Sequence, residues 1–155
     1  MQETRHQFRE SLKELESQTL GTLEMVIQQL DRALESVSCQ EVELAGMVIA
    51  DDDRIDRSYL EIHQGVLSLL ARQAPVAGDL RLVAALLHII RCVERMGDQC
   101  ANIAKLVLLS GYEPPKDKQI LDTIERMGQL ARSQASQAKE AFATRNVALA
   151  QDLVR

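Results

Sequence analysis

The 155-residue chain sets 18 Lys and Arg against 23 Asp and Glu, a net charge of -5. That balance excludes a surface organised to grip nucleic acid, because phosphate binding needs clustered cations. Hydrophobic residues make up 46% and aromatic ones 3%, with no Trp, so the composition predicts an all-α fold in which helices pack on helices, within the size of one ordinary domain.

Along the chain, residues 3–37 keep a helical beat of apolar positions that includes Phe8, Leu12, Leu15, Val26, Ile27 and Leu30. Ser38-Cys39-Gln40 reads as a turn, with Ser38 or Gln40 near the cap of a second helix that runs to about residue 72, roughly 45 Å at about 1.5 Å per residue. Pro75 and Gly78 break the pattern, and Asp79 is the natural N-cap of a third helix. That helix ends at Ser110-Gly111-Tyr-Glu-Pro114-Pro115. Three long helices joined by short turns predict an up-and-down antiparallel bundle. A more polar fourth helix spans residues 116–143, and a fifth starts at Val147.

Val42-Glu-Leu44-Ala45 and Val147-Ala-Leu149-Ala150 match at an offset of 105 residues, as do the turns before them. The fourth and fifth helices therefore read as a restart of the first two, broken off before a second full repeat. Their open apolar side, with Ile124, Met127, Phe142 and Leu149, is expected to seek a partner, which predicts a homo-oligomer such as a homodimer.

Acidic residues interrupt the apolar pattern at two places. Leu80, Leu87, Ala101 and Leu108 recur every seven residues, and Glu94 falls in that series; Ala45, Tyr59 and Val66 form another, which includes Asp52. Asp56 and Asp98 stand one turn on, so each helix carries two carboxylates on one face. Counted from residue 75, Asp52 and Asp56 lie 23 and 19 positions before the turn, and Glu94 and Asp98 lie 19 and 23 after it. Antiparallel helices would thus bring the pairs level. Four converging carboxylates need neutralising, and an oxygen-liganded cation such as magnesium, calcium, manganese or iron would do it, with Asn102 able to add a carbonyl oxygen. The competing reading pairs these acids with Arg54, Arg57, Arg91 and Arg95 on a solvated face.

Asp52-Asp-Arg-Ile55-Asp56, Gln73-Ala-Pro75-Val76-Ala77-Gly78-Asp79-Leu80-Arg81 and Glu94-Arg95-Met-Gly97-Asp98-Gln-Cys-Ala-Asn102-Ile103-Ala104 together resemble the successive signatures of the PhoU family of phosphate-signalling regulators. The resemblance spans residues 8–110. It implies tandem three-helix bundles of spectrin-repeat-like build: a first bundle at residues 1–111, a linker at 112–116 and an incomplete second repeat at 117–155. It also implies a cytoplasmic adaptor that restrains the phosphate-starvation response by contacting the phosphate ABC transporter ATPase and a sensor histidine kinase. The adaptor is not an enzyme. Iron or zinc clusters held by D/ExxxD pairs would fall on Asp52, Asp56, Glu94 and Asp98, and Asp79, Arg81, Arg95 and Asn102 are further contact candidates.

The remaining residues add little chemistry. Cys39, Cys92 and Cys100 form no CxxC pair and read as small buried hydrophobes in a reducing compartment. No run reaches the ~18 apolar residues of a membrane span, and the charged first 16 residues are unlike a signal peptide, so the membrane is expected to be met only through partners. His6, His63 and His88 are scattered, and no Glu-x-x-His pair supports a ferritin-like oxidase. A carboxylate-bridged metalloenzyme and a purely structural helical module stand as the alternatives.

Overall fold

The structure, a computed structural model, describes residues 2–110 and 117–154. These form five helices, α1 (Gln2–Cys39), α2 (Val42–Arg72), α3 (Ala77–Ser110), α4 (Lys118–Thr144) and α5 (Val147–Asp152). The linker expected at 112–116 lies outside the described residues. Helices α1, α2 and α3 each pack on the other two, whereas α4 packs on α1 and α5 on α4 alone. The chain is an all-α bundle of three helices with a two-helix extension.

The helices form because apolar residues recur on one side of each. On α2 the buried positions are Ala45, Val48, Ile55, Ile62, Val66 and Leu69; on α3 they include Val83, Leu86, Ile90, Val93, Gly97, Cys100, Ala104 and Val107. A fully buried Leu86 contributes about 2 kcal/mol by leaving water. The core divides in two along the bundle. A larger cluster contains Phe8, Leu12, Ile27, Ile55, Ile62, Leu86 and Val93, and a smaller one contains Leu30, Ala33, Ala45, Val48, Cys100, Ala104 and Val107.

Two expectations about α3 need correction. Asp79 is not its N-cap: the helix starts at Ala77, and the Leu80 amide already donates to the Val76 carbonyl at 2.9 Å. Asp79 sits instead in the first turn, where its charge suits the helix N-terminus. The seven-residue series is not the core line either, since Leu80 and Leu108 are 51% and 44% exposed while Ala101 is buried. A strict seven-residue spacing drifts by about 20° per repeat on a straight helix, so its ends turn out to solvent. Glu94 therefore lies at the edge of the core.

The two short corners share one geometry. Gln40 at the α1–α2 corner has φ 54° and Arg145 at the α4–α5 corner φ 55°, both left-handed. Each is followed by an extended N-cap, Glu41 (φ -92°, ψ 101°) and Asn146 (φ -84°, ψ 99°). The Glu41 amide donates to Ser36 O at 3.1 Å and the Asn146 amide to Ala141 O at 2.9 Å. Every member of one corner is 105 residues from its counterpart. The cap of α2 is thus Glu41, without a side-chain capping bond, rather than Ser38 or Gln40.

Helix α4 opens on Asp117, whose carboxylate accepts from the Gln119 and Ile120 amides at 3.0 and 3.2 Å. It rests on α1 through Gly128 against Leu34 and through the ion pairs Arg132–Asp31, Lys139–Glu24 and Arg145–Glu16, each 2.7 Å. Ile124 and Met127 are open to solvent as expected, at 38% and 67% exposure. Phe142 and Leu149 are half-buried instead. Phe142 packs against the core under the Arg145 guanidinium, 4.7 Å from the ring centre.

Candidate functional site

The α2–α3 face brings the two acid pairs into one another's electrostatic field. Asp52 and Glu94 are half-buried, and Asp56 and Asp98 are exposed. Burial is the main cause that raises the Asp52 carboxyl above its ordinary value; Asp56 and Asp98 add to it, and the Gln29 amide offsets part. Burial also raises Glu94, helped by Asp98, Asp56 and Asp52, with Arg91 opposing. Each half-buried acid thus senses the acids of the other helix, as mirrored distances from the Pro75 turn require.

Gly97 makes the close approach possible. A Cβ built there would lie 3.1 Å from Asp52 Oδ1 and 3.2 Å from Ile55, so a larger residue would press on the carboxylate. Asp52 Oδ1 is buried without a hydrogen-bond partner, which costs stability unless something else satisfies it.

Arginines do not cancel this charge by direct pairing. Arg54 reaches Asp51 at 3.4 Å and Arg57 donates to the Asp53 carbonyl at 3.2 Å, while Arg32 crosses from α1 to Asp51 at 2.6 Å. Among the described residues, neither D/ExxxD pair takes part in an ion pair. No three His, Cys, Asp or Glu side chains among those residues are arranged to hold a metal ion. The acids share a face and a field without closing on one point.

The other candidates lie apart or are engaged. Asn102 Oδ1 accepts from Lys105 Nζ at 3.3 Å, so its oxygen faces a cationic side chain. Arg81 and Arg95 are exposed. Asp79 borders a surface hollow with Arg5, Phe8 and Pro75 at the opposite end of the bundle from the α1–α2 corner. His63 stacks obliquely on Tyr59 at 5.7 Å. Of the three cysteines expected to be buried, Cys39 and Cys92 are exposed and Cys100 alone is buried; desolvation with the nearby Asp52 charge pushes the Cys100 thiol up to about 12, which makes it an inert packing residue.

Sequence reasoning left two participants unassigned. Gly97 was read only as part of a motif. Gln29 on α1 is the other, although a long polar side chain three after Val26, on a face whose remaining positions are apolar or small hydroxyl residues, was a visible signal.

Residues 20–107, which contain both acid pairs, match the PhoU domain family. The chain belongs to the PhoU family. The phosphate-specific transport system accessory protein PhoU homologues of Aquifex aeolicus and Clostridium acetobutylicum are 31% and 33% identical to it, over 92% and 93% of this chain. The chain spans 64% and 65% of their lengths, a little less than two thirds. The crystal structure of the phosphate transport system regulatory protein PhoU from Streptococcus pneumoniae superposes with a TM-score of 0.83 at 29% identity, covering 94% of this PhoU-family chain and 68% of that one. Among the described residues no helix is long and apolar enough to cross a membrane.

Proposed function

We propose that this PhoU-family chain is a non-enzymatic regulator of phosphate uptake. It restrains phosphate-starvation signalling by linking a phosphate ABC transporter ATPase to a sensor histidine kinase in the cytoplasm. The observation that carries this reading is the match of residues 20–107 to the PhoU domain, with relatives named as accessory proteins of the phosphate-specific transport system. Residues 117–155 serve as the opening of a second repeat. Pull-down of the chain with each of the two proteins tests the adaptor role. Retention of both supports it, and binding to neither removes it.

The acid pairs give the adaptor a cation site. Asp52, Asp56, Glu94 and Asp98, which share a face without closing on one point, would have to draw together to hold the ion, and an all-oxygen donor set with one buried unpartnered oxygen suits manganese, magnesium, calcium or iron, zinc being the softer option. Bound there, the ion would neutralise the four charges and tie α2 to α3. Elemental analysis of purified protein beside the variant Asp52→Asn, Asp56→Asn, Glu94→Gln, Asp98→Asn checks this. Equal metal content in both would rule the site out.

The chain also self-associates through α4. Ile120, Met127 and Leu130 are 57%, 67% and 62% exposed along one helix, a stripe that association would cover. Light scattering should give a dimer mass for the parent and a monomer for Met127→Glu with Leu130→Glu; a parent that stays monomeric at all concentrations refutes it.

A further inference from the structure

Among the described residues four polar side chains are buried on α1; the hydroxyls of Thr19, Thr22 and Ser36 donate to carbonyls of their own helix, whereas Gln29 reaches across to α2 and leaves its oxygen unpartnered. It is 0% exposed, and it lies where the core divides, between Ile27 of the larger cluster and Leu30 of the smaller. Asp52 on α2 sits at the same level, between Val48 and Ile55, and Gly97 on α3 completes the layer. Each helix of the bundle thus gives the layer a residue that is not a large hydrophobe.

The hydrogen bonds of this layer are directed. Gln29 Nε2 donates to the main-chain carbonyl of Val48 at 3.1 Å. In a continuous helix that carbonyl also takes the amide of the residue four later, which is Asp52. The side-chain amide is therefore fixed at the foot of the turn that carries the half-buried carboxylate. Its orientation follows, because only the NH2 end can meet a carbonyl oxygen. The amide also lowers the Asp52 carboxyl, which sets it beside that side chain. Gln29 Oε1 and Asp52 Oδ1 both remain buried and unpartnered. A Met of similar length would fill the same space without that cost.

We propose that Gln29 is the positioning residue of the acidic site: its buried amide clamps the Asp52 turn from α1 while Gly97 leaves room from α3, so the carboxylate faces the opposite acid pair. This rests on the cation site of the previous section and makes α1 its third wall.

The test uses Mn²⁺ as probe, since an oxygen donor set accepts it and its paramagnetism reports the ligand geometry. Binding is titrated by electron paramagnetic resonance with the 155-residue chain, Gln29→Met and the surface control Gln28→Ala. Gln29→Met should fold, weaken Mn²⁺ binding at least tenfold and change the spectrum of the bound ion, with Gln28→Ala within twofold of the parent. A folded Gln29→Met with parental affinity and spectrum overturns the proposal. If Gln29→Met does not fold, Gln29→Asn, whose amide is withdrawn by one methylene, is read by the same criteria. If the parent binds no Mn²⁺, the cation reading fails, and crystal structures of parent and variant decide Gln29 separately. An Asp52 carboxylate that moves in the variant supports the clamp, and one that stays in place overturns it.

Discussion

Helices α1 and α4 occupy corresponding places before corresponding corners, yet one is enclosed and the other half open. α1 has α2, α3 and α4 around it and buries Leu12, Leu15, Leu23, Val26 and Leu30, whereas α4 has α1 and the short α5 and buries only Gly128, Ala135 and Ala141. Ile120, Met127 and Leu130 of α4 face outward. What separates them is the number of neighbours, so burial here is a property of the assembly of helices more than of any one helix's sequence.

That contrast can be broken most strongly from the enclosed side. Ile62→Ala, at a position 1% exposed, should cost about 2–5 kcal/mol in urea unfolding, while Met127→Ala on the open stripe should stay within about 0.5 kcal/mol in protein dilute enough to be monomeric. A loss at Met127 that grows with protein concentration would mark coverage of α4 by a second copy. A smaller effect is expected where α4 meets α1. Gly128→Leu presses on Leu34 and should cost about 1–3 kcal/mol of local stability, read by hydrogen exchange as faster opening of α4 with α1–α3 unchanged. If exchange rises throughout, the extension and the bundle unfold together.

The acidic face supplies a pH-dependent version of the same comparison. With Asp52 raised above the ordinary carboxylate value by burial and by Asp56 and Asp98, the folded state binds its proton more tightly than the unfolded one. Stability is then greatest below the unfolded value and is lost as pH rises through the folded one. Asp52→Asn should be more stable than the parent at neutral pH in metal-free buffer, with the two midpoints converging in acid; a less stable variant at neutral pH would contradict the sign. The smallest change is expected at the exposed α1–α4 pairs. Arg132→Met, which removes the contact to Asp31, should cost about 0.2–1 kcal/mol, diminishing with added salt.

Long-period features were legible in the sequence and single-residue geometry was less so. The helix lengths, the break at Pro75 and the mirrored acid pairs follow from apolar spacing and from residues with restricted backbones. Asp79 was misplaced because a good capping residue also suits the first turn of a helix that starts two residues earlier. Glu94 looked more central than it is, because a seven-residue series and a straight helix fall out of step over four repeats. Gln29 went unread for a different reason. Its role depends on which carbonyl of α2 lies opposite, and that is fixed by helix-to-helix register.

The paired corners carry a lesson about what is kept when a chain repeats itself. Gln40 and Arg145 differ in shape and charge, yet both hold a left-handed backbone to within a degree of φ, a conformation that costs a residue with a Cβ about 1–2 kcal/mol. The reversal is therefore written in torsion angles and in the amide of the following residue, and the side chain at the apex is left free to vary. A search for further copies of this hairpin would do better to compare angles than letters.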